Sequence, residues 1–244
     1  MNIASASRAE SATAMPADGA ATTAHDTAGL IPVRVWDAPV RVAHWLMVAC
    51  FAGAWLTAES ERWRLVHVTL GYTLAALVVL RIVWGFVGTR HARFASFVRG
   101  PSAVWRYLRS LVTTRPEHHV GHNPAGALAI LALLGLSLLI TATGWVTYQD
   151  LAGEWIAELH EGAASAMLAL VALHVGAVVV SSRLHRENLA RSMVTGLKAG
   201  RPGDGVRRVW RPLAAMLLVA VLGFWGWQWQ SAPDGAPQVS EHRH

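Results

Sequence analysis

HEGAASAMLALVALH, residues 160–174, opens and closes on histidine and is almost wholly apolar between. A run of this composition reads as membrane-buried, and an ionisable group held in a membrane marks function unless a partner explains it. On a helix the fourteen-residue step from His160 to His174 is a rise of about 21 Å, with a rotation roughly 40° short of four full turns. The two imidazoles therefore leave nearly the same helix face at opposite depths. Ala163, Ala164, Met167 and Val171 lie on that face between them, and the small residues leave room for a flat ring system.

The rest of the chain has the composition of a membrane protein. Of 244 residues, 53% are hydrophobic and only 15% are charged, too apolar for an ordinary soluble domain of this length. Apolar segments lie near 41–58, 66–88, 124–147, 160–182 and 212–230. Each approaches the length needed to cross a hydrocarbon core about 30 Å thick. Runs without alternation are helices, because lipid leaves no backbone group unpaired. Trp36, Trp45, Trp63, Trp155, Trp210 and Trp229 fall near segment ends, as an interfacial belt requires. Asn123 and Pro124 make a helix start, as N-cap and first position. Asp37 and Arg41 are spaced as an i,i+4 pair at another. The single cysteine, Cys50, excludes an internal disulfide, a thiolate metal site and covalent haem attachment.

The net charge of +6 is concentrated in loops. Basic residues fill the loops between segments two and three and between four and five, and acidic Asp150, Glu154 and Glu158 precede segment four. The positive-inside rule then places the N-terminus and both basic loops in the cytoplasm and the C-terminus outside. Membrane orientation, not nucleic-acid binding, accounts for the charge. Residues 1–30 read as a disordered cytoplasmic N-terminus, 31–200 as a four-helix membrane domain, 201–230 as linker and fifth transmembrane helix, and 231–244 as a polar tail. VWRYLRSLV, in loop 89–123, is amphipathic enough to lie on the membrane surface.

Of twelve histidines only His44, His67, His160 and His174 lie within apolar segments. The topology puts two at each depth, on different helices: His67 with His160 at the outer level, His44 with His174 at the inner. Paired imidazoles without a carboxylate or thiol fit axial ligation of haem iron better than zinc, which requires a fuller shell. Arg81, fourteen residues after His67, shares its helix face at the inner depth and needs an anion, which haem propionates supply. Arg41, one turn before His44, is placed to meet the same propionates. Gly71, four after His67, leaves space beside that histidine. His118, His119 and His122 read as residues of a solvated loop, with His122 a competitor to His44. Gly53, Gly85, Gly88 and Gly135 read as helix-packing residues.

The stretches VRVWDAPVRVAHW (33–45), HVTLGY (67–72), RIVWGFVGTRHARFASFVRGP (81–101), GHNPAGALAILALL (121–134), HEGAASAMLALVALHVGAV (160–178) and RENLARSMVTGLK (186–198) together resemble the bacterial cytochrome b561 family. That family includes the b-type cytochrome subunits of nickel-iron hydrogenases and the cytochrome b domain proteins. The resemblance implies an all-α transmembrane bundle, with a four-helix core binding two non-covalent b-type haems through these four histidines. It implies a respiratory electron-transfer protein or oxidoreductase subunit of the inner membrane. Electrons would pass between a quinone pool and a redox partner such as a c-type cytochrome or flavoprotein. The fifth helix lies beyond the shared core. Two other functions compete: a haem-bearing anchor or assembly subunit, and a His-based metal or proton transporter, which intramembrane carboxylates or broken helices would favour.

Overall fold

Asp37 starts the bundle. In the computed structural model its Oδ1 accepts from the Val40 backbone N–H at 2.9 Å, capping helix α1 (Ala38–Thr57), with Pro39 in the first turn. The structure describes residues 30–111 and 121–231. Residues 1–29, the tail beyond Ser231, and His118 and His119 lie outside them, and so do the expectations placed on those stretches.

A short 3₁₀ turn (Glu61–Trp63) joins α1 to α2 (Arg64–Val87). The connection that follows carries a four-residue helix α3 (Phe94–Phe97) and an amphipathic α4 (Pro101–Leu111), as VWRYLRSLV led us to expect. Asn123 then caps α5 (Pro124–Tyr148), accepting from the Gly126 N–H at 2.6 Å. Helix α6 (Trp155–Leu184) carries the opening stretch without a break. It begins five residues earlier than the apolar run at 160, with Glu154 at the N-cap and Glu158 in the first turn. Helices α7 (Leu189–Thr195) and α8 (Arg211–Gln230) complete the chain. Among the described residues, five helices (α1, α2, α5, α6 and α8) are long and apolar enough to cross a membrane.

One element departs from an all-α expectation. Strand β1 (Ile31–Arg34) pairs antiparallel with β2 (Leu197–Gly200), with Ile31 opposite Gly200 and Arg34 opposite Leu197. The ribbon ties the segment before α1 to the segment after α6. Gly196 makes the junction: its φ is +81°, and its carbonyl accepts from the Val35 and Trp36 N–H groups. A side chain there would be strained, and its Cβ would come within 2.8 Å of the Trp36 carbonyl. Beneath the ribbon, Lys198 is buried and paired with Glu187 at 3.3 Å. Burial lowers the Lys198 pKa despite that partner.

The helices pack as α1 on α2, α2 on α5 and α5 on α6, with α8 against α1. Cys50, Leu74, Leu77, Val78 and Leu134 form a central cluster that Val221 of α8 joins. Trp225 and Gln228 of α8 also hydrogen-bond to Thr73 and Thr69 of α2. The fifth helix is therefore packed into the bundle. Side chains such as Phe86, Leu173 and Val219 face outward, each about two-thirds exposed. An apolar exterior of this kind suits lipid, where close packing and polar contacts rather than the hydrophobic effect hold helices together. Trp45, Trp63, Trp155, Trp210 and Trp229 are exposed near helix ends. Trp36 is not: it is buried under the ribbon, with its Nε1–H on Ser192 Oγ at 3.3 Å.

Candidate functional site

The end of the bundle away from the ribbon holds His67 and His160. Helices α2 and α6 bring their rings to 6.2 Å between centroids, at 75° to one another. Each ring is oriented through Nδ1: that of His67 lies 2.9 Å from the Ala54 carbonyl, and that of His160 lies 3.0 Å from the Ile140 carbonyl and 3.2 Å from Thr143 Oγ1. A carbonyl accepts only, so Nδ1 carries the proton and Nε2 keeps its lone pair, the state in which imidazole binds a metal. Two metal–nitrogen bonds of about 2 Å, with a ring radius added at each end, give a centroid separation of roughly 6 Å. The observed spacing fits one metal between the rings.

Both histidines line a cavity of about 560 Å³, together with Phe51, Gly71, Ile140 and Ala164. Its size and largely apolar wall suit a cofactor. Gly71 faces open space: a Cβ there would meet no atom within 4 Å. Gly144 plays a part not foreseen from the sequence. A Cβ on it would lie 2.8 Å from His160 Cε1, so only glycine lets that ring sit against α5. The polar groups at the cavity include the hydroxyls of Tyr72, Tyr148, Thr141 and Ser165 and the carboxylates of Glu59 and Glu161.

The ribbon end has a different chemistry. His44 and His174 are half-buried there and close enough for their charges to interact. Arg81 is only 6% exposed; its guanidinium lies over the Phe94 ring at 5.3 Å and its Nη1 is buried without a hydrogen bond. Asp37, 1% exposed, is already committed to Val40 N–H, to Trp84 Nε1–H at 3.0 Å and to Thr89 Oγ1–H at 2.6 Å. It therefore makes no simple pair with Arg41, whose Nη2 donates to the Val194 carbonyl and whose Nε is buried without a partner.

His122 corrects a sequence expectation. It does not lie in solvent: its ring sits between Trp36 and Phe97, at 4.5 and 4.6 Å between centroids, and its Nδ1 is sealed and unpaired. Burial first, then the nearby charges of Arg81, Lys198, His91 and His174, push its pKa down to about 3. It is a neutral imidazole at pH 7. His91 is placed by the Asp204 carbonyl, 2.7 Å from its Nε2.

The residues therefore fit haem on two counts. A pair of oriented imidazoles faces a cofactor-sized cavity, and buried cationic and imidazole donors without partners gather at the opposite depth. Among the described residues no group of three or more His, Cys, Asp or Glu side chains is placed to hold a metal ion. Membrane-length helices with imidazoles paired between them, and no thiolate, have the donor set of a membrane b-type cytochrome.

Comparison with known proteins agrees. The prokaryotic cytochrome b561 family matches residues 35–196, well over half of the chain, and the protein belongs to that family. It is a multi-pass membrane cytochrome of the haem b, electron-transferring kind. Similar curated proteins include the probable Ni/Fe-hydrogenase 1 B-type cytochrome subunit of Escherichia coli K12, 28% identical over 141 residues, or 48% of this chain and 60% of that protein. The probable Ni/Fe-hydrogenase B-type cytochrome subunits of Rhizobium leguminosarum bv. viciae and Azotobacter vinelandii are 26% and 27% identical. Both of those matches cover 67% of this chain and 87% of the relative. No solved structure matches the chain.

Proposed function

We propose that the protein is a dihaem relay of the bacterial inner membrane, passing electrons between a quinone pool and a redox partner subunit or c-type cytochrome. The observation that carries this reading is the His67–His160 pair, 6.2 Å apart, with both Nδ1 atoms fixed on backbone carbonyls. These two would hold the outer haem and His44 with His174 the inner one. Gly71 gives the outer macrocycle room. Arg81, and Arg41 once released from Val194, would meet the inner propionates. When bound, the haems would supply one-electron chemistry, and with two histidines given to each they would transfer electrons rather than activate a substrate.

The chain's own task is to hold and space the pairs. His160 and His174 stand on one unbroken helix, about 21 Å apart along its axis. That distance carries charge across most of the hydrocarbon. The ribbon end, which is rich in arginine, is cytoplasmic in this reading, as is the N-terminus, and the C-terminus is periplasmic. Relatives named as hydrogenase subunits support a partner that is itself a redox subunit.

The test is functional. Purified protein is given a ubiquinol analogue and an oxidised c-type cytochrome, and the haem absorbance and the acceptor are followed together. A relay predicts reduction of both haems and of the acceptor, with transfer abolished in His67→Ala and in His44→Ala. Haems that quinol does not reduce, or transfer indifferent to both substitutions, would make the chain an anchor rather than a relay.

A further inference from the structure

Among the described residues the buried side-chain polar atoms without a hydrogen bond are Arg41 Nε, His44 Nδ1, Arg81 Nη1 and His122 Nδ1. All four belong to the ribbon end, and all are on cationic or imidazole side chains. The outer histidines contribute none. A buried donor left unpaired is destabilising, so a cluster of them marks the seat of an acceptor. Asp37 is the carboxylate that interacts with both Arg41 and Arg81, and its oxygens already take three donors. Among the described residues no acceptor reaches these atoms, and a cluster of cationic and imidazole side chains calls for an anionic one.

His44 has its explanation as a proposed ligand, and Arg81 as a proposed propionate partner. His122 has neither. Its ring is clamped between Trp36 and Phe97, one residue before the cap of α5, which fixes where Nδ1 lies. Its nearest charged neighbours include Arg81 and His174, one proposed to hold the inner propionate and the other the inner iron. We propose that His122 is a fifth functional histidine: it does not ligate iron but donates Nδ1–H to a propionate of the inner haem, beside Arg81. The role is one of positioning and tuning. A hydrogen bond to a propionate withdraws negative charge from the edge of the macrocycle and favours the reduced iron, raising the potential of that haem alone. The inference rests on the dihaem reading above.

The experiment is a redox titration with haem extraction on the purified full chain, in wild type, His122→Phe and His122→Gln, each also in a His67→Ala background that leaves the inner haem. Phe keeps the stack between Trp36 and Phe97 without a donor; Gln keeps an N–H donor. The expected result is two haems per chain in wild type and in both single variants. In His122→Phe the inner midpoint falls and the outer stays fixed; His122→Gln recovers most of the fall. Unchanged midpoints, or equal shifts of both haems, would overturn the proposal while leaving the dihaem reading intact. Loss of a haem in His122→Phe and in His122→Gln, with two retained in His44→Ala, would make His122 the ligand and overturn it also. A wild type with a single haem, lost in His67→Ala, would overturn the dihaem reading and this inference together.

Discussion

The two ends of the bundle solve the same problem differently. At the outer end both imidazoles are oriented by backbone carbonyls, the cavity is open and no side-chain donor is stranded. At the ribbon end the helices are closed over by α3, α4, α7 and the β-ribbon, and four buried donors wait for a partner. The protein alone orients the two outer imidazoles, while the ribbon end leaves buried cationic and imidazole atoms without a hydrogen bond. The mostly apolar outer cavity includes two carboxylates and several hydroxyl side chains in its lining, while arginine and neutral imidazole gather at the ribbon end.

The largest expected effect is on cofactor content. His67→Ala and His160→Ala each remove the outer haem and leave the inner, halving extractable haem; loss of both haems, or of neither, would break the division into two independent sites. Next is Arg81→Leu, which strips the inner site of its most buried cation. Truncating one member of a buried, hydrogen-bonded charge pair costs about 2–5 kcal/mol, so inner haem affinity falls by tenfold or more while the outer haem stays. Haem titration of the depleted protein reads both affinities. A drop at the outer site instead would put the arginine at the wrong depth.

Two glycines sharpen the outer half of the comparison. Gly71→Ala places its methyl in open space beside His67. It should raise the thermal stability of the haem-free chain by about 1 kcal/mol, as alanine does in a helix, yet lower outer haem occupancy. Gly144→Ala drives into His160 and should cost about 1–3 kcal/mol with or without haem, as overpacking does. Identical behaviour of the two variants would mean that the cavity is not a cofactor site.

The smallest effect belongs to the ribbon. Lys198 has a pKa below its unfolded value because burial outweighs Glu187. Between the two values the unfolded chain binds the extra proton, so stability rises with pH in that alkaline window. Thermal unfolding in detergent should show a shallow rise, absent in Lys198→Met.

The helices were readable because apolar length is a local property, and lipid enforces it. The pairing of His67 with His160 followed from charge in the loops, which fixes depth, and from a fourteen-residue step, which fixes the face. What escaped notice depends on contacts between distant segments. Four-residue strands 163 residues apart at their nearest ends carry no local signal. Gly144 matters only because a particular face of α5 meets α6. His122 looked solvated because its loop is polar; that Trp36 and Phe97 close on it is set by the ribbon and by α3. A hint was present in Asn123 and Pro124, which pin His122 at the mouth of the bundle.

The central claim is two irons in one chain, and haem stoichiometry tests it most directly. Protein purified after expression with ample haem is assayed by pyridine haemochrome against protein concentration, with a reduced-minus-oxidised spectrum. The account predicts two b-type haems per chain and low-spin bands. One haem, or none in folded protein, would contradict it.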